Sequence, residues 1–132
     1  MNESRALLDT RVVIDLADID IDLLPEQLFI STVTVAELAA GVHAARDVFT
    51  RAVRLRRLQW VESSFDPLPF DIPAAHCYAE LFGMAHDAGR QPRRRVADLF
   101  IAAIAVANGM PLITRNHDDF SDLKSVVDVV TV

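Results

Sequence analysis

The run LFIAAIAVA (residues 99–107) is apolar on every side of a helix, and a helix without a polar face has to be buried among other elements. It reads as a helix from about Ala97 to Asn108, ended by Gly109 and followed at once by PLIT (111–114), a buried strand. Further strands are expected at residues 5–9 (RALLD), at 28–32 (LFIST) and at 126–132 (VVDVVTV). The two prolines of FDPLPF (65–70) allow only a short or edge strand. Strands separated by helices imply a largely parallel sheet covered on both sides, with ligand sites at the carboxyl ends of the strands.

The helices between them are legible from their caps and faces. Residues 11–18 form a short one. In the next, Thr34 can cap the first turn with Glu37 as its capping-box partner three residues on, and the helix runs to about Ala45. A further helix starts near Asp47 and continues to about Val61, with Val48, Ala52 and Leu55 on one face and Arg51, Arg54 and Arg57 on another. Pro73 starts a long helix that reaches about Ala88 and is closed by Gly89. GRQPRRR (89–95) reads as a loop.

Composition narrows the class. With 132 residues, 52% hydrophobic and 24% charged, the chain is expected to be one soluble domain spanning 1–132. No apolar run reaches the roughly 18 residues of a membrane helix. The start, MNESRALLDT, lacks the features of a signal peptide, so a cytoplasmic location is expected. Cys77 is the only cysteine, which excludes an intrachain disulfide and a thiolate metal cluster. A net charge of −6 argues against a protein that coats nucleic acid by bulk attraction, while leaving room for a local site. His43, His76, His86 and His117 show no paired spacing for zinc. Serine-hydrolase elbows and phosphate-cradling glycine loops are absent.

Four acids stand out against this apolar background: Asp9 in LLDT, Glu37 in VTVAEL, Asp98 in RVADLFIAA and Asp119 in RNHDDF. A carboxylate among apolar residues is costly without a cation or strong donors. Asp9 ends the first strand, Glu37 lies in the first turn of the helix after the second, Asp98 opens the buried helix and Asp119 follows PLIT. One rim of the sheet can therefore gather all four. Each also has a plain structural role open to it: Glu37 and Asp98 as helix-terminus acids, Asp119 as a turn residue.

The stretches LLDT (7–10), TVAEL (34–38) with Gly41 after it, DLFIAAIAVANGMPLITRN (98–116) and DDF (118–120) resemble, in order and spacing, the PIN-domain ribonucleases, and among them the VapC-type toxins of toxin and antitoxin pairs. The resemblance implies an α/β fold with a five-stranded parallel sheet flanked by helices on both sides. It also implies a metal-dependent endoribonuclease neutralised by a cognate antitoxin protein. By matching position Asp9, Glu37 and Asp98 are the core acids, with Asp119, or else its neighbour Asp118, the fourth. Two positions depart from the pattern: Arg11 replaces a small polar residue, and Asn116 stands where many relatives carry Asp.

Such a donor set suits Mg²⁺, with Mn²⁺ as an alternative. Asp9 and Asp98 are the expected direct ligands, and Glu37 and Asp119 are expected to hold water or accept a proton. Thr10, Arg11, Arg115, Asn116 and the Arg93–Arg95 run are expected to carry the RNA, which is single-stranded or looped where bases are read. Residues from about Val35 to Leu58, with the arginine face of the helix after Asp47, are the expected partner surface, and self-association is expected through the same region. The competing reading is a PIN-like binding module with little or no catalysis, which metal-dependent cleavage separates from the enzyme.

Overall fold

A computed structural model describes residues 4–132, the Arg94 side chain excepted, so the expectation attached to that arginine lies outside the described residues. Four strands, β1 (Arg5–Leu8), β2 (Gln27–Phe29), β3 (Leu112–Thr114) and β4 (Val129–Thr131), form one sheet in the order β2-β1-β3-β4. Every pairing is parallel, with Leu7 beside both Phe29 and Leu112 and with Ile113 beside Val130. The chain moves outward from β1 to β2 and then returns to lay β3 on the other side of β1. The carboxyl ends of β1 and β3 therefore flank a topological switch point, where open parallel sheets place their ligands.

The expected fifth strand is reduced to a single parallel bridge between Ser31 and Leu68. Leu68 donates its N–H to Ile30 and accepts from Thr32, but Pro67 and Pro69 on either side have no N–H to extend the ladder. The segment thus docks beside β2 without becoming a regular strand.

Among the described residues five α-helices cover the sheet: α1 (Thr10–Ile14), α2 (Thr32–Ala44), α3 (Val48–Ser64), α4 (Ile72–Asp87) and α5 (Val96–Ala107). Alternation along the strands divides the core. Leu7 and Leu112 face α4 and α5, packing with Leu81, Leu99, Ile101 and Phe120. Ala6, Leu8 and Ile113 face the other way, against Val12, Val13, Leu38 and Val61. The apolar helix α5 lies buried as its sequence requires, and Gly109, at φ +63°, makes the left-handed turn that lets β3 follow within three residues. Among the described residues no helix is long and apolar enough to cross a membrane.

Three local expectations are corrected. The cap of α2 is Ser31, whose Oγ accepts the Thr34 N–H at 3.1 Å, so Thr34 occupies the third turn position and Glu37 is no capping-box partner. Residues 92–95, expected as loop, form a short 3₁₀ turn that leads directly into α5. Helix α3 turns the opposite way from a simple amphipathic reading: Val48 is 85% and Phe49 78% exposed, with Leu55 also outside. Its arginine face lies against α2, where Arg54 donates to the Gly41 carbonyl at 2.8 Å and Arg51 to that of Ala45 at 3.2 Å. Guanidinium groups at the carboxyl end of α2 satisfy carbonyls that lack helical partners and complement the helix dipole, so Arg54, half-buried, and Arg51, still exposed, are held against α2.

Candidate active site

Asp9 leaves β1 as the N-cap of α1 and is only 7% exposed. One carboxylate oxygen accepts the Thr10 N–H at 2.9 Å and the other accepts the buried Thr114 hydroxyl at 3.0 Å. That second bond joins the ends of β1 and β3 across the switch point. Thr114 also accepts the Asn116 N–H at 3.1 Å, so one hydroxyl fixes both the acid and the start of the following turn.

The 3₁₀ turn His117–Leu123 carries the fourth acid. Asn116 caps this turn: its carbonyl oxygen accepts the Asp118 N–H at 3.2 Å and its amide donates to Asp119 Oδ1 at 3.1 Å. Both ends of the Asn116 side chain are thereby engaged, and its amide holds the Asp119 carboxylate. Asp118 points to solvent beside His117, with its side chain 96% exposed, whereas Asp119 lies close enough to raise the carboxyls of both Asp9 and Asp98.

Asp98 and Asp9 each lie in the field of other acids of the rim. Burial first, and then the fields of Asp9, Asp119 and Glu37, push the Asp98 carboxyl up to about 6, partly opposed by Arg95. Burial likewise raises Asp9, against the hydrogen bonds from Thr114 and Thr10, with Glu37 and Asp119 adding to the rise. Glu37 reaches the cluster from α2 and accepts the Thr10 hydroxyl at 2.6 Å. Among the described residues no three acids close into a coordination shell around one point. The arrangement is a convergent field of negative charge, which fits an ion that retains several waters and needs one or two direct carboxylates.

The cations of this rim are already engaged. Asp15 Oδ2 pairs with Arg11 Nε at 3.0 Å and with Arg115 at 3.5 Å, placing both guanidiniums at the carboxyl ends of β1 and β3. Arg95 is held from two sides: it pairs with Asp122 at 2.7 Å and donates to the Asp119 carbonyl. Arg90 donates to the Asp118 carbonyl at 3.1 Å and lies 3.5 Å from Asp122.

The PIN-domain family profile matches residues 6–126 of the chain. The chain belongs to the PIN-domain family. It is 38% identical over 126 residues to ribonuclease VapC5 of Mycobacterium tuberculosis, covering 93% of this chain and 90% of that protein. VapC ribonuclease Y4jK of Sinorhizobium fredii is 35% identical over 130 residues, covering 86% of this chain and 89% of that protein. In the crystal structure of VapBC-5, a toxin-antitoxin system of Mycobacterium tuberculosis, a chain 37% identical to this one superposes with a TM-score of 0.85 over 98% of both chains.

In this PIN domain Thr114, Asp15 and the Arg95–Asp122 pair were missed from the sequence. Thr114 alone left a signal, as a hydroxyl at the last position of an apolar strand before a polar turn. The raised Asp98 carboxyl has a measurable consequence. Because the fold favours its neutral form, the contribution of Asp98 to the stability of the metal-free protein is fully present below the unfolded value near 4 and is lost as pH rises through about 6. Melting without divalent ions should occur at a lower temperature at pH 7.5 than at pH 5, and Mg²⁺ should raise the melting temperature more at pH 7.5. Equal melting at both pH values would show that the carboxylates do not repel as their placement requires.

Proposed function

We propose that this chain is a metal-dependent endoribonuclease that hydrolyses RNA phosphodiester bonds, and the toxin of a pair whose antitoxin neutralises it. The observation that carries the reading is the hydrogen bond between Asp9 and Thr114, which locks a buried carboxylate at the switch point within the fields of Asp98, Glu37 and Asp119. The relatives named ribonuclease, and the toxin-antitoxin complex that contains a similar chain, support it.

Asp9 and Asp98 would hold Mg²⁺ or Mn²⁺, which supplies Lewis-acid polarisation of the phosphate and acidification of water. Glu37 and Asp119 would orient water by accepting its hydrogen bonds, and Glu37, held by Thr10, would take the one proton that the attacking water gives up. Arg11 and Arg115 offset the charge of the incoming strand at the same rim. Asn116 serves this proposal through Asp119. Unpaired RNA fits the open rim, since single-stranded or looped segments present bases and backbone together.

The partner surface consists of the exposed apolar face of α3 and the groove of about 580 Å³ beside it, lined by Thr10, Arg11, Glu37, Leu38, Phe49 and Val53. An antitoxin segment seated there buries Phe49 and reaches the acids from one side. Self-association through exposed apolar residues of the same region belongs to the same proposal.

Attack by water leaves the 2′-hydroxyl out of the reaction. Incubation of a cellular RNA pool with the purified protein and Mg²⁺ or Mn²⁺ should give fragments with 5′-phosphate and 3′-hydroxyl ends, and EDTA should abolish them. Fragments ending in 2′,3′-cyclic phosphate would refute the hydrolytic route. No cleavage under any metal would return the chain to the role of binding module.

A further inference from the structure

Glu37 is exposed, on a long side chain, and yet accepts one of the shortest hydrogen bonds of the described residues, 2.6 Å from the Thr10 hydroxyl. That hydroxyl lies 2.8 Å from the hydroxyl of Thr34, which is completely buried beneath it. Thr34 Oγ1 in turn lies 3.5 Å from Ser31 Oγ, the cap of α2. Three hydroxyls and one carboxylate thus form a continuous line from the capped start of α2 to the acid cluster.

Counting protons gives the line a direction. An ionised carboxylate only accepts, and each hydroxyl carries a single proton. Thr10 must therefore spend its proton on Glu37, which leaves its oxygen as the acceptor towards Thr34. Thr34 has to donate to Thr10 and accept from Ser31, whose oxygen also receives the Thr34 N–H at 3.1 Å.

We propose that Thr34 is a positioning residue: by donating to Thr10 it commits the Thr10 proton to Glu37 and holds that carboxylate at the acid cluster that would receive the ion. The proposal rests on reading the acid cluster as a nuclease site. A free Glu side chain samples many rotamers, and ordering it before substrate arrives removes that entropy cost from the reaction. The line also ties α2 to the first residue of α1, so the acid from one helix is held in register with Asp9 at the start of the other.

The test is a cycle of Thr34→Val with Glu37→Ala, with Thr34→Ser as the conservative variant. Two readouts are taken: turnover and KM on RNA, and Mn²⁺ affinity of the RNA-free protein by electron paramagnetic resonance. In the wild-type background Thr34→Val should lower turnover about 10-fold and weaken Mn²⁺ binding several-fold, the scale of a lost outer-shell partner. KM should stay unchanged and Thr34→Ser should restore both readouts. In the Glu37→Ala background Thr34→Val should add less than a twofold change. An equal loss in both backgrounds, or no loss in the wild type, would overturn the proposal. If the wild type cuts no RNA, the nuclease reading fails, while the Mn²⁺ arm of the cycle still decides whether Thr34 acts through Glu37.

Discussion

Asp98→Asn should lower RNA cleavage by a factor on the order of 10³ while making the metal-free protein more stable at pH 7.5, the loss exceeding the 10- to 100-fold typical of outer-shell partners. Both effects arise from one property of the site. Asp98 is part-buried at the start of α5 among three other acids, and its carboxyl is pushed up to about 6. At pH 7.5 it is ionised against that resistance, which costs on the order of 1–2 kcal/mol once solvent screening is allowed for. Asparagine removes the charge without changing the shape and so relieves the cost, which corresponds to a rise of a few degrees in melting temperature at about 2–6 °C per kcal/mol for a chain of this size.

Asp9→Asn should abolish cleavage to a similar degree without the same gain. Asp9 accepts from both Thr10 N–H and Thr114 Oγ1–H. An amide can satisfy only one of these donors with its oxygen, and the buried Thr114 proton is left facing another donor. That misfit offsets the relief of charge. Activity lost in both variants, with stability gained only in Asp98→Asn, is the signature of a charge cluster built for a cation. Variants that cut as well as the wild type would reduce these acids to helix caps.

The legible part of this molecule is the part governed by period and position along the chain. The helix α5, the strands β1, β3 and β4, and the placement of Asp9, Asp98 and Asp119 on one rim all follow from apolar runs ended by polar residues. Helix α3 was misread because a helical period separates two faces without saying which is inward. What decides it is the carboxyl end of α2, whose carbonyls attract Arg51 and Arg54. Glu37 was legible as an acid of the same rim, yet its cap relation was misplaced by three residues, because Ser31 and Thr34 are both good caps and only the bridge to Leu68 fixes where β2 gives way to α2. Asp122 was invisible for a different reason. Its importance comes from burial beside Arg95, which are 27 residues apart, and nothing local marks either as paired.

Asp122→Ala should destabilise the protein by about 3–5 kcal/mol, the usual result of removing one member of a buried ion pair. The Asp122 side chain is 5% exposed and that of Arg95 11%, so truncation strands a guanidinium away from water. The predicted loss, measured by urea or thermal unfolding, is large for any single domain of marginal stability. Replacing both partners together, Arg95→Met with Asp122→Leu, should recover most of that stability, since an apolar pair of similar volume avoids the buried charges altogether.

Activity should not return with stability. Arg95 donates to the Asp119 carbonyl, and Arg90 to that of Asp118, so the pair holds the turn that presents the fourth acid. Arg95 is also the cation that opposes the rise of the Asp98 carboxyl, and without it Asp98 becomes harder to ionise and a poorer ligand. The double variant should therefore fold well, bind Mn²⁺ more weakly than the wild type and cleave RNA at least about 10-fold more slowly. Full activity in the stable double variant would confine the ion pair to a purely structural role. Slow cleavage in a stable double variant would explain why two buried charges are kept where two apolar side chains would stabilise at least as well: Arg95 holds the turn that carries Asp119 and favours the ionised form of Asp98.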